Sequence, residues 1–126
     1  MNLSVSLTSG EPIYLQIKEQ IKNQILAGQL QEGDPLPSIR NLAQTLKISV
    51  ITTKRAYDDL EQEGLVASVS GKGTFVSGTN KHSIREIKFR ELEEQIKSIV
   101  TQSRALGLKR NEVMQLFDIF YGEERD

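Results

Sequence analysis

Residues 37–76 read PSIRNLAQTLKISVITTKRAYDDLEQEGLVASVSGKGTFV, and the order of caps, apolar spacings and glycines in this stretch decides the fold. Ser38 precedes Ile39, Leu42, Ala43 and Leu46, an apolar stripe at helical spacing, and its hydroxyl suits an N-cap. That helix is short and should end near Leu46 or Lys47. Ser49 offers a second N-cap a few residues later and opens a helix through Val50, Ala56, Tyr57 and Leu60 to Gly64. Ile48, in the turn between them, is apolar and serves as a plug that holds the two helices at a steep angle. Two short, separately capped helices joined by a tight turn spell helix-turn-helix. The period then changes: residues 65–69 and 74–76 are β-prone, and Ser70-Gly71-Lys72-Gly73 between them predicts a hairpin with a glycine-rich, basic tip. The sum is a winged helix.

Upstream, Tyr14, Ile17, Ile21 and Ile25 recur at helical spacing, widened by Ile13 and Leu26, and predict a helix from about Glu11 or Pro12 to Ala27. Pro12 suits its first turn and Gly28 the position past its end. Gly33, Pro35 and Pro37 then mark an ordered turn. Downstream, residues 77–83 are polar and predict a linker. A long helix follows from Ile84 to Leu106, with Phe89, Leu92, Ile96, Ile99, Ser103 and Leu106 spaced three and four apart like a coiled-coil seam. A last helix, roughly Asn111 to Tyr121, carries Val113, Leu116, Phe117 and Phe120 on one stripe. The fold class is therefore mostly α with one small β-hairpin. The expected domains are 1–78, the winged helix, and 79–126, a helical tail.

The chain has 126 residues, 37% of them apolar and 26% charged, which fits a globular protein with one compact domain and an appendage. No run approaches the length of a membrane span, the first residues lack the pattern of a signal peptide, and there is no cysteine. A cytoplasmic location is expected. Catalytic constellations are scarce. His82 is the only histidine, and without cysteine it makes a poor metal site. Asp58-Asp59 and Glu93-Glu94 are neighbours on helices and point apart. Gly71-Lys72-Gly73-Thr74 fails the phosphate-loop spacing, because Val66 stands where that pattern needs glycine. We expect no enzyme, no metal and no cofactor.

The net charge of −1 argues against a nucleic-acid partner until its distribution is read. Between Pro35 and Tyr57 there is no acid, while Arg40, Lys47, Lys54 and Arg55 are present; Glu32, Asp34, Asp58, Asp59, Glu61 and Glu63 flank the window. A recognition helix offers its N-terminal residues to the major groove. Here those are Ser49, Val50, Ile51, Thr52 and Thr53, with Lys54 and Arg55 one turn on. Thr52 can donate to a phosphate or base edge, and an exposed Ile51 can meet a thymine methyl. Capping and packing are the competing roles for Thr52 and Thr53. Arg40 stands where it can reach the backbone across the groove, and two glycines around Lys72 let the wing tip approach DNA closely.

Four blocks carry a family resemblance: residues 36–43 (LPSIRNLA), 48–57 (ISVITTKRAY), 60–65 (LEQEGL) and 71–76 (GKGTFV). In this order they resemble the DNA-binding domain of the GntR family of bacterial regulators. The opening Pro12-Ile13-Tyr14-Leu15-Gln16-Ile17 and the short helical tail are similar to its small YtrA-like branch. The resemblance implies binding to palindromic operators as a dimer, most simply in repression. It implies DNA contacts at Ser38, Arg40, Ser49, Val50, Ile51, Thr52, Lys54 and the tip Ser70-Gly71-Lys72. Asn41 departs from the usual Glu, which would complete a capping box with Ser38. Val50 and Ile51 are apolar where many relatives are basic or polar.

About 45 residues follow the wing, too few to close a ligand cavity in one chain. Their apolar stripes call for a second copy, so Phe89, Leu92, Ile96, Ile99, Val113, Leu116, Phe117 and Phe120 are the expected dimer interface. A small-molecule effector between subunits is compatible with this arrangement, and the sequence identifies none. The rival reading is a winged helix that docks a protein. Salt separates the two, since DNA binding weakens steeply with ionic strength and apolar docking does not.

Overall fold

The computed structural model describes residues 1–78 and 81–122. The elements are α1 (Ile13–Leu26), α2 (Ile39–Leu46), α3 (Val50–Gln62), β1 (Val66–Val69), β2 (Gly73–Val76), α4 (Lys81–Ala105) and α5 (Arg110–Tyr121). The chain divides into two compact units, Met1–Arg85 and Glu86–Asp126.

In the first unit the isoleucine stripe of α1 does what its spacing requires. Ile17, Ile21 and Ile25 are fully buried, together with Leu42 of α2 and Ala56, Tyr57 and Leu60 of α3. Leu30, Leu36, Leu65, Val66, Val76 and Ile84 complete the same core. Each large side chain so buried contributes roughly 1.5–3 kcal/mol. Charge reinforces the α1–α3 seam. Lys22 donates to Glu63 Oε1 at 2.8 Å, and Lys18 lies 3.2 Å from Glu63 Oε2 and 3.9 Å from Asp59. Burial alone would raise the Glu63 pKa, but the hydrogen bonds and charges of Lys22 and Lys18 outweigh it and hold the carboxyl below its ordinary value.

The turn between α2 and α3 falls at Lys47-Ile48-Ser49, as expected. Lys47 adopts the left-handed conformation (φ 57°, ψ 48°), and the amides of Lys47 and Ile48 donate to Gln44 and Ala43. This is a Schellman-type helix end with lysine where glycine usually sits. Ile48 packs against the core. Ser38 Oγ accepts from the Asn41 amide at 3.1 Å, and Ser49 Oγ from the Thr52 amide at 3.0 Å.

The hairpin pairs β1 and β2 antiparallel, Val66 opposite Val76 and Val69 opposite Gly73. The expected turn at 33–37 is more ordered than a turn. Pro35 bridges Phe75, the Leu36 amide donates to Thr74 O, and the Val76 amide to Asp34 O, so this segment is tied to the outer edge of β2 by an isolated bridge. Pro35 suits that place because its missing N–H is not needed there.

The residues before α1 were expected only to lack a leader pattern. They run extended along α1, bonded to glutamine side chains. Gln24 donates to Asn2 O, Gln20 exchanges two bonds with Ser4, and Gln16 exchanges two with Ser6. Glutamines four apart on a helix rise about 6 Å per step, close to the two-residue repeat of an extended chain.

The linker expectation needs a correction. Lys81, His82 and Ser83 lie in α4, because a polar stretch without glycine or proline does not resist the helix that follows it. Thr79 and Asn80 lie outside the described residues. Ile84 belongs to the first unit's core, and the Arg85 guanidinium donates to Leu26 O at 3.2 Å. In the second unit the later part of α4 and α5 enclose a groove of about 340 Å³, lined by Ile96, Ile99, Val100, Val113, Met114 and Phe117 among others. Phe89, Leu92, Leu116 and Phe120 stand exposed to solvent in the single chain.

Candidate nucleic-acid interface

The first turn of α3 shows how local chemistry prepares a reading surface. Ser49 Oγ accepts from the Thr52 amide and donates to Thr52 Oγ1 at 2.7 Å. One hydroxyl thus satisfies a free helix-end amide and fixes the rotamer of Thr52, whose own O–H stays available to donate outward. Thr53 takes the packing role. It is fully buried and its hydroxyl donates to Ser49 O at 3.1 Å. Val50 is exposed, and Ile51 is 82% exposed. Ile51 thus presents an exposed apolar side chain at the N-terminal end of α3.

The cations sort into two groups. Lys54 is 2.7 Å from Asp58 Oδ2, one turn further along the helix, with both side chains in solvent. Arg40, Lys47, Arg55 and Lys72 are exposed and have no carboxylate partner among the described residues. Arg55 instead lies over the ring of Tyr14 in α1, 3.6 Å from its centroid. Most of the flanking acids are occupied. Asp59 and Glu63 meet Lys18 and Lys22, the Glu61 carboxylate accepts from the Ser68 amide of the wing at 3.0 Å, and Asp34 accepts from the Gln31 amide. The overall charge therefore conceals a set of unneutralised cations on the helix-turn-helix and the wing.

At the wing tip the Lys72 amide donates to Val69 O at 2.9 Å, and Ser70, Gly71 and Lys72 are exposed. Gly71 (φ 76°) and Gly73 (φ 111°) occupy backbone conformations that a side chain would strain. Glu61 fixes the base of the wing to α3. Sequence reasoning missed the Tyr14–Arg55 stack, which joins residues far apart in the chain, the Glu61 anchor of the wing and the glutamine ladder.

A capped helix-turn-helix with a basic, glycine-tipped wing defines a winged-helix DNA-binding protein. Residues 13–76 match the model of "Bacterial regulatory proteins, gntR family". The HTH-type transcriptional repressor YtrA of Bacillus subtilis (strain 168) is 34% identical over 107 residues, 85% of this chain and 82% of the relative. The crystal structure of a transcriptional regulator from Oenococcus oeni superposes with a TM-score of 0.71 at 29% identity, covering 94% of this chain and 98% of that one. The DNA-binding domain of AraR in complex with operator ORX1 superposes with a TM-score of 0.54 at 32% identity, covering 61% of this chain and all (100%) of that one. The chain belongs to the GntR family, resembles its YtrA-like members, and is a DNA-binding transcriptional regulator, not an enzyme.

Proposed function

We propose that this regulator binds a palindromic operator as a homodimer and represses transcription by occupying it. The observation that carries this reading is the first turn of α3, where an exposed Val50-Ile51 pair adjoins a Thr52 hydroxyl set by its cap. Ser49, Val50, Ile51 and Thr52 read bases, Ser38, Arg40, Lys54 and Arg55 hold phosphates, and Ser70-Gly71-Lys72 enters the minor groove. The Lys54–Asp58 pair is no obstacle, because exposed ion pairs contribute only about 0–1 kcal/mol and yield to a phosphate.

DNA recognition belongs to residues 1–78 and dimerisation to the tail 79–126. Phe89, Leu92, Ile96, Ile99, Val113, Leu116, Phe117 and Phe120 form the interface. A two-fold dimer sets its recognition helices about one DNA turn apart and so demands a palindrome. Both the naming of the Bacillus relative as a repressor and the operator complex of the AraR domain favour this reading. The working compartment is the cytoplasm, where the DNA is; no helix among the described residues is long and apolar enough to cross a membrane.

Selection of bound duplexes from a random pool tests operator and symmetry together. The expected result is an inverted repeat, bound with an affinity that falls steeply with salt. Recovery of no preferred sequence, with binding indifferent to salt, would favour the protein-docking reading instead.

A further inference from the structure

Lys54 and Arg55 are adjacent cations on α3, and the fold holds them in chemically opposite ways. Asp58 engages the Lys54 ammonium directly, so in the free protein that charge has a counterion and one of its three donors is used, a pair that a phosphate must displace. Tyr14 engages only the face of the Arg55 guanidinium. Stacking on an aromatic ring leaves the N–H donors, which lie in the guanidinium plane, free to form a fork. It also leaves the charge whole, since a ring quadrupole is no counterion. The platform is firm: the Tyr14 side chain is partly buried and packs against the core that Ile17, Ile21 and Ile25 build. Arg55 is thus ordered in advance without being neutralised, the condition for a bidentate phosphate contact at low entropic cost.

From this geometry we infer that Tyr14 is a positioning residue for DNA binding, holding Arg55 as a preformed clamp for one phosphate of the DNA backbone beside the recognition helix. The inference rests on the reading of α3 as the DNA-facing helix. It makes the first turn of α1 a third element of the interface, and it ranks Arg55 above Lys54 as the phosphate contact of the second turn of α3.

The test uses the full chain and a mixed-sequence duplex of about 30 base pairs, long enough for two half-sites one turn apart. Affinity is measured against salt concentration. Arg55→Ala should lose about tenfold in affinity and flatten the salt slope by about 0.9, the signature of one lost phosphate contact. Tyr14→Leu should lose about two- to fivefold, the equivalent of an exposed cation–π contact, with the slope retained. Tyr14→Phe, which keeps the ring, should restore binding. In an Arg55→Ala background Tyr14→Leu should cost nothing further. A core role for Tyr14 would instead weaken binding equally in both backgrounds, and that result overturns the inference. Arg55→Ala with wild-type affinity and slope overturns it too, as does a loss confined to one base pair of the selected operator. If Tyr14→Leu does not fold, Arg55→Lys decides: it should retain the slope and lose affinity, and wild-type affinity there would count against the fork. Failure of the wild type to bind any duplex would reject the DNA reading itself and is a separate result.

Discussion

Tyr57 carries a hydroxyl into the core of the first unit, where it donates to the Pro37 carbonyl at 2.7 Å and ties α3 to the start of α2. Burial pushes its pKa up from 10.0 to about 12. The native state therefore keeps a proton that the unfolded chain releases. The resulting stability is fully present below pH 10 and is lost as pH rises from 10 to 12, about 2–3 kcal/mol in all. Urea titrations across that range should show the loss in the wild type and lack it in Tyr57→Phe. Ser49 separates stability from recognition at one position. Ser49→Ala removes the cap and should cost about 1 kcal/mol. Ser49→Asp keeps an N-cap acceptor but sets a carboxylate against phosphate, so melting should hold while duplex binding fails in gel shifts. Residues such as Ser38 and Ser49 were legible because a cap is a local matter, decided within four residues. The Tyr14–Arg55 stack was not, because the contact exists only after α1 packs on α3.

Among the elements, the wing was readable from its glycines, since Gly71 and Gly73 take conformations that few other residues tolerate. What the sequence did not reveal is how the wing is held. Glu61, one of the acids that flank the basic window, anchors it through the Ser68 amide. The segment at Pro35 pairs with β2 as well, a bridge too short to leave a strand signature. Held at its base on both sides, the hairpin should tolerate changes at its tip. Lys72→Glu is expected to leave the melting temperature within a degree or two, as for other surface changes. Duplex affinity should fall roughly tenfold or more through like-charge repulsion at a phosphate. Unchanged affinity in a gel-shift titration would remove the wing from the interface.

For the molecule as a whole, the seam residues of the tail were legible from their spacing, but spacing does not say what covers them. Phe120 is 86% and Phe89 61% exposed in the single chain, and Leu92 and Leu116 are about half exposed. Exposed apolar side chains clustered in this way are what the proposed dimer would cover. The place to cut the chain follows from the structure. Ile84 is part of the first unit's core and Arg85 bonds to α1, so a fragment ending at Arg85 keeps what one ending at Gly78 would lose. Residues 1–85 are expected to sediment as a folded monomer that binds a half-site weakly, while the full chain sediments as a dimer. A dimeric fragment would move the interface out of the tail.

The glutamine ladder along α1 leaves a trace that does not depend on DNA. Along residues 3–7 the engaged amides alternate: Ser4 bonds to Gln20 and Ser6 to Gln16. In heavy water the amides of Ser4 and Ser6 should therefore exchange slowly, and those of Leu3, Val5 and Leu7 should exchange fast. Deuterium uptake would then alternate along a stretch that belongs to no sheet. Gln20→Ala should erase the slow step at Ser4 and spare that at Ser6. Uniform uptake across residues 3–7 would mean that the segment lies free of the helix in solution.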